Sequence, residues 1–213
     1  MAKTPVELGK ELIDELYDDE PNIGTCIGLI QAGADLTIDE DGDGKTALYL
    51  SCRFKVPAVA LEIIKQDRAV PILNKQDTDP LFGLTPLMVA VESDLPDVVD
   101  ALIKRHADLN IVKPSGHTAL YLACSWQHER PAMLLIEAGA DVTKSENMAL
   151  KPYDLSWIKE ALPGTPMGRV KAALILRGAA GPVAAGGRRR VQTRRQKSRR
   201  GKKYSVRKGR SRR

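Results

Sequence analysis

Residues 83–91 read GLTPLMVAV, and two close copies of this stretch occur elsewhere in the chain. Residues 44–52 read GKTALYLSC and residues 116–124 read GHTALYLAC, so the three threonines are 39 and 33 residues apart. A period of this size is typical of a protein built from stacked copies of one structural unit. The three copies therefore predict a repeat architecture.

Each copy carries the signals for the start of a helix. Thr85 stands before an apolar run, where its hydroxyl can accept a hydrogen bond from a free amide of the first turn, and Pro86 occupies the first helical position. A second proline follows in every copy and favours the start of a second helix. These second prolines are Pro57, Pro96 and Pro131. Gly33 and Gly139 suit the helix ends, and each repeat is predicted to be helix, turn, helix.

On these residues the chain resembles the ankyrin-repeat family, whose Thr-Pro-Leu-His-x-Ala signature is matched by TPLMVA at 85–90. The resemblance implies an all-α solenoid of stacked helix-turn-helix units, with loop tips and first helices lining a concave surface that binds partners. The implied organisation is an N-terminal capping helix (1–21), ankyrin repeats (22–179, with full repeats near 42–80, 81–113 and 114–146 and a divergent cap at 147–179), a Gly/Ala linker (180–187) and a disordered basic tail (188–213).

Charge is distributed unevenly along the chain. The 33 basic and 27 acidic residues give a net charge of +6, but residues 188–213 hold 15 basic residues and no acidic one, so residues 1–187 carry −9. A basic run of this kind repels itself and binds anions, which predicts nuclear import or contact with nucleic acid. The residues assigned to this role are Arg188, Arg189, Arg190, Arg194, Arg195, Lys197, Arg199, Arg200, Lys202 and Lys203. The tail loosely resembles the Arg/Lys-rich C-termini of ankyrin proteins of large DNA viruses.

Composition also indicates where the protein resides. The charged N-terminal stretch does not read as a secretory signal, and no apolar run is long enough for a membrane helix. Three widely spaced cysteines indicate reduced thiols. We expect an intracellular monomer, in the nucleus or the cytoplasm, without membrane contact.

Several patterns approach the chemistry of a metal, nucleotide or catalytic site. Asp39, Asp41 and Asp43 begin a calcium-loop pattern, but Leu50 stands where the bidentate Glu belongs, so an acidic loop is the better interpretation. The phosphate-loop pattern ending at Thr46 would need Gly where Asp39 stands. The three histidines lack zinc spacing. We therefore predict no metal, no cofactor and no catalytic residue.

The remaining candidates are residues for binding a partner. Aromatic residues in the turns of an aromatic-poor chain suit an interface, although Trp126 has the alternative of packing between repeats. The predicted partner-binding residues are Asp41, Asp43, Arg53, Phe54, Phe82, Met88, Glu92 and Trp126. We interpret the chain as a non-enzymatic protein-binding adaptor or scaffold. The alternative is a structural component that packages nucleic acid, in which the basic tail is the functional element.

Overall fold

Helices make up the regular structure of the computed structural model, which describes residues 2–39, 41–145 and 150–178. The α-helices in these residues are α1 (Pro5–Tyr17), α2 (Ile23–Gln31), α3 (Ala47–Arg53), α4 (Pro57–Lys65), α5 (Pro86–Glu92), α6 (Pro96–Lys104), α7 (Ala119–Ser125), α8 (Glu129–Glu137), α9 (Ser156–Glu160) and α10 (Pro166–Leu176). Short 3-10 helices cover Asp67–Ile72 and Pro152–Asp154. The predicted all-α class is confirmed. The predicted linker (180–187) and basic tail (188–213) lie outside the described residues.

The helices form two rows. Helices α1, α3, α5 and α7 pack side by side in a first row, and α2, α4, α6, α8 and α10 pack in a second row. Each first-row helix also contacts the second-row helix that follows it in the chain. Helix α1, which falls in the predicted capping segment, packs against α2 and α3 in the same manner as the other first-row helices. The stack of helix-turn-helix units is the one that the repeated sequence predicts.

The threonines at the starts of the first helices differ in their hydrogen bonds. Thr85 Oγ1 accepts from the Met88 amide at 3.2 Å, and Thr118 Oγ1 accepts from the Tyr121 amide at 3.3 Å. The buried hydroxyl of Thr46 has no partner among the described residues. Two threonines therefore cap their helices as predicted, whereas Thr46 occupies the capping position without the bond.

The prolines of the second helices also differ. Pro57 and Pro96 are the first residues of α4 and α6, as predicted. Helix α8 begins two residues before Pro131, after His128 at the N-cap, so Pro131 is the third helical residue. The amide that proline lacks is also unused at this position, because the first amides of a helix have no partner within it. Pro131 thus lies in the first turn of its helix, as predicted, but two positions later than Pro57 and Pro96 in theirs.

Small and branched apolar side chains fill the space between the rows. Cys52, Val91 and Cys124 occupy the same position in successive repeats and are fully buried. Burial raises the pKa of the Cys52 and Cys124 thiols to about 12. All three cysteines are free and buried. Cys52 and Cys124 therefore act as small apolar core residues.

Two first-row helices, α5 and α7, are each bonded to the following repeat by one ring nitrogen. His128 Nδ1 lies 2.8 Å from the carbonyl oxygen of Val91 near the end of α5. Trp157 Nε1 donates to the carbonyl of Cys124 near the end of α7 at 3.0 Å. The Val91 carbonyl also accepts from the Asp94 amide, and the Cys124 carbonyl from the Gln127 amide, so each ring adds a further hydrogen bond at a helix end.

Candidate functional site

A cavity of about 360 Å³ lies among the ends of α1, α3 and α5 and the loop that leads into α5. We call it the aromatic pocket, and its lining residues are Tyr17, Lys45, Tyr49, Leu50, Arg53, Phe54, Asp77, Asp79, Phe82, Leu84 and Glu92. It draws residues from three successive first-row helices and from two loops. A pocket with this composition offers apolar contact together with a small number of charged groups, which is typical of a binding site.

Exposed aromatic rings form part of the pocket wall. Both phenylalanines of the chain, Phe54 and Phe82, line it and remain 44% and 52% exposed. Tyr17, which is also exposed, meets Phe54 edge to face with ring centroids 5.7 Å apart. Aromatic side chains held at a surface in this way are the type of residue that contributes most to the free energy of binding at protein interfaces. The wall is therefore suited to contact with a partner.

The loop before α5 is held in place by its own hydrogen bonds. The Asp79 carboxylate accepts from the amides of Leu81 and Phe82 at 2.8 and 3.1 Å. The side-chain amide of Gln76 donates to the Val112 carbonyl of the next loop at 3.0 Å. These bonds fix the backbone that carries Phe82, so the ring is presented at the pocket without a further rearrangement of the loop.

The charges of the pocket are unequally paired. Lys45 is bound by the neighbouring Asp43, whose hydrogen bond raises the pKa of the lysine. Burial raises the pKa of Glu92, despite the opposing effect of nearby cations. Burial and the adjacent Asp77 carboxylate raise the pKa of Tyr49. The lining residues thus comprise three acidic side chains and two basic ones, of which Lys45 is already paired with Asp43.

Four of the predicted partner-binding residues lie together in this pocket: Arg53, Phe54, Phe82 and Glu92. Asp43 reaches it through its ion pair with Lys45. Asp41 is exposed on the same loop but does not line the pocket. Trp126 is 60% exposed at the C-cap of α7, outside the pocket. The predicted tail residues lie outside the described part of the chain.

The prediction for Met88 is wrong, because this side chain belongs to the core. Met88 is only 1% exposed. It stands three residues after the capping Thr85, and the equivalent residue of the preceding repeat, Tyr49, is also buried. This helical position faces the neighbouring repeats in the stack. Met88 therefore belongs to the core and is not accessible to a partner.

Tyr17 and Lys45 are pocket residues that the sequence analysis did not identify. The signal for Tyr17 lies in the spacing, since it precedes Phe54 by 37 residues, which is close to the repeat period. An alignment of the end of α1 with the end of α3 would have placed both rings side by side. Lys45 carries no comparable signal, because lysines in loops are common.

The acidic loop beside the pocket is held by one oxygen of Asp39, Oδ2, whereas the buried Oδ1 has no hydrogen-bond partner among the described residues. Asp39 Oδ2 lies 2.9 Å from Lys75 Nζ and accepts from the Gly44 amide at 2.7 Å. Burial raises the pKa of Asp39, but these hydrogen bonds outweigh it and hold the pKa below its ordinary value. Over the described ranges, no three His, Cys, Asp or Glu side chains come together in a group that could hold a metal ion. In the same residues, no helix has the length and apolar character to cross a membrane.

Known proteins share this arrangement of repeats. The family model described as "Ankyrin repeats (3 copies)" matches residues 19–111 and 59–146. Neurogenic locus notch homolog protein 1 is 24% identical over 166 residues in Danio rerio (65% of this chain) and 29% over 128 residues in Homo sapiens (60%). Inversin of Mus musculus is 37% identical over 81 residues (38%).

This similarity covers the repeats of much longer proteins. The chain spans 7% and 5% of the two notch proteins and 8% of inversin. Ankyrin repeats generally mediate protein–protein interaction and are generally non-enzymatic. The family model matches most of the repeats, and the helices pack in the two rows that the repeated sequence predicts. The chain therefore belongs to the ankyrin-repeat family.

Proposed function

We propose that this chain is a non-enzymatic adaptor that binds a protein partner at the aromatic pocket, while residues 188–213 direct it to the nucleus or attach it to nucleic acid. The observation that carries the proposal is the pocket wall. Tyr17, Phe54 and Phe82 are exposed and adjacent to the half-buried Glu92 in a chain with 4% aromatic residues. Contact with a partner would remove this apolar surface from water.

The tail supports the second half of the proposal by its charge alone. Its 15 basic residues without an acidic one would release counterions from a nucleic acid and make the attachment depend on salt and not on base sequence. The same clusters suit recognition by an import receptor. The tail would then set where the adaptor acts, and the repeats would set what it binds.

Affinity capture from a nuclease-treated native extract tests the adaptor role. The full chain, residues 1–187 and two full-length variants serve as baits, and mass spectrometry identifies the retained proteins. The variants are Phe82→Ala, which removes a ring from the pocket, and Leu81→Ala, which removes the neighbouring side chain outside the pocket. We expect one protein to be retained by the full chain, by residues 1–187 and by Leu81→Ala, and to be lost or reduced with Phe82→Ala.

The tail favours a second candidate function, a structural component that packages nucleic acid. In that case residues 1–187 retain nothing, and the material held by the full chain is removed by nuclease or by salt. Loss of capture by residues 1–187, together with equal behaviour of the two variants, would overturn the adaptor role and leave packaging as the function. A tagged full chain compared with residues 1–187 in cells tests the nuclear address.

A further inference from the structure

We infer that the partner of the aromatic pocket presents a basic segment, and that an arginine of this segment occupies the pocket with its guanidinium at Glu92 and its stem against the aromatic wall. This inference rests on the proposed function and names the chemistry of the partner. Three features of the described residues carry it: the wall, the charge of the neighbouring segment and the carboxylate at Glu92. The cation at Arg53 distinguishes this occupant from an acidic one.

The wall suits a flat cation. Both phenylalanines of the chain line this one cavity, and Tyr17 lies edge-on against Phe54. A guanidinium stacks on aromatic faces and is more weakly hydrated than an ammonium, so it loses less on leaving water. The existing cation at this wall, Lys113 Nζ, lies 5.8 Å from the Phe82 ring centroid, so the ring already accepts a positive charge nearby.

The charge around the opening selects a basic occupant. Residues 1–43 contain twelve acidic and two basic residues, a net charge of −10, which is more negative than the −9 of residues 1–187 as a whole. Three of these carboxylates, Asp18, Asp19 and Glu20, directly follow Tyr17 in the chain and are exposed. A cleft beside carboxylates of one sign raises the local concentration of a positively charged segment. The pocket therefore lies at the acidic end of the repeats.

Glu92 supplies the polar anchor. Its side chain is half-buried and forms no hydrogen bond or ion pair with any residue that the structure describes. Lys113 and Arg53 act on this carboxylate from nearby but make no hydrogen bond to it, so its oxygens remain open to a ligand that brings N–H donors. A guanidinium brings several donors in a fixed plane and matches a carboxylate with two parallel hydrogen bonds.

Arg53 distinguishes a basic occupant from an acidic one. It lines the same pocket, and the ion pairs of the described residues do not include it. Lys45, the second cation of the lining, is held by Asp43. If the occupant is basic, Arg53 repels it and its removal strengthens binding. If the occupant is acidic, Arg53 attracts it and removal of Arg53 weakens binding.

Fluorescence anisotropy on the full chain tests the inference with a labelled probe, a short peptide of Gly and Ser with a central pair of arginines. Matched peptides carry citrulline, which keeps the shape without the charge, or glutamate. We expect the arginine peptide to bind, and the citrulline and glutamate peptides to bind at least about tenfold more weakly. Added salt should weaken the binding of the arginine peptide.

Three variants and two controls locate the binding. Glu92→Gln and Phe82→Ala should each weaken the arginine peptide by roughly fivefold, and Arg53→Gln should strengthen it by about twofold to threefold. The matched controls are Glu137→Gln, which removes an exposed carboxylate from α8, and Leu81→Ala. Both controls should remain within about twofold of the unaltered chain. A thermal melt of every variant shows whether its fold is retained.

The inference is overturned if the citrulline and arginine peptides bind equally. It is also overturned if Arg53→Gln weakens binding of the glutamate peptide and leaves binding of the arginine peptide unchanged. Equal effects of the pocket variants and their controls would also overturn it. The adaptor role is decided separately by the capture experiment. A protein captured through Phe82 but indifferent to the arginine peptide would retain the proposed function and refute the basic partner.

Discussion

The ring of Tyr17 at the end of α1 meets the ring of Phe54 at the C-cap of α3 edge to face, at an interplanar angle of 68°. The contact joins two neighbouring repeats at the surface, where both rings remain exposed. The electron-poor edge of one ring lies against the electron-rich face of the other, which favours this arrangement beyond the area that it buries. The pair is thus both a link between repeats and part of the pocket wall.

Tyr17→Leu and Phe54→Leu test this link in a double-mutant cycle. We expect a coupling free energy of about 0.5–1.5 kcal/mol, because leucine keeps the apolar contact but loses the ring geometry. Urea unfolding of the four proteins measures it. The cycle of Tyr17→Leu with Trp126→Leu is the control and should be additive, since no ring contact joins Tyr17 and Trp126. Additivity in both cycles would show that the edge-to-face contact adds nothing to stability.

Valine substitutions at the capping threonines should give unequal results. Thr85→Val removes the hydroxyl that accepts from the Met88 amide and should lower the free energy of unfolding by about 1 kcal/mol. Thr46→Val removes a buried hydroxyl without a partner among the described residues, so it should be neutral or stabilising. Chemical denaturation compares the two. A loss at Thr46 as large as that at Thr85 would mean that a water or an undescribed residue satisfies the hydroxyl.

Asp39 should make stability depend on pH in the acidic range. Its pKa in the folded chain lies below the ordinary value of 3.8, so its contribution is complete above that value and is lost as the pH falls through the folded pKa. Asp39→Asn should therefore destabilise the chain by about 1–3 kcal/mol near neutral pH and by less in acid. Urea unfolding near neutral pH and again in acid measures how much the free energy of unfolding changes on substitution at each pH. Asp41→Asn, at an exposed carboxylate of the same loop, should have little effect at either pH. A loss at Asp39→Asn that does not change with pH would contradict the ion pair with Lys75.

The cysteines should be unreactive in the folded chain. Burial raises the pKa of Cys26 to about 11 and that of Cys52 and Cys124 to about 12, so almost no thiolate is present near neutral pH. A colorimetric thiol reagent should react slowly with the native chain and with three thiols after denaturation in urea. Substitution of serine for each cysteine in turn assigns any fast reaction. A native thiol that reacts at the rate of a free cysteine would show that its helix opens readily.

The sequence predicted the helices well because their signals are local. Thr85, Pro86 and Pro96 determine where helices begin through bonds and torsion angles within a few residues. Phe82 and Glu92 are among the predicted residues that line the aromatic pocket, and their role in binding stays a prediction. Met88 was predicted to bind a partner but is buried, and Tyr17 was not predicted although it lines the pocket. Both differences arise because the exposure of a residue depends on which neighbour stacks against it. That relationship is set by the whole row of helices and not by the residues on either side.

The ring bonds from His128 and Trp157 also determine the order of the repeats. Each ring reaches back to the carbonyl of one residue in the preceding repeat, Val91 for His128 and Cys124 for Trp157. The repeats resemble one another in sequence, yet these two units are not interchangeable. A chain in which they were permuted would keep its helices and lose these junctions, so the sequence encodes not only the unit but also its place in the array.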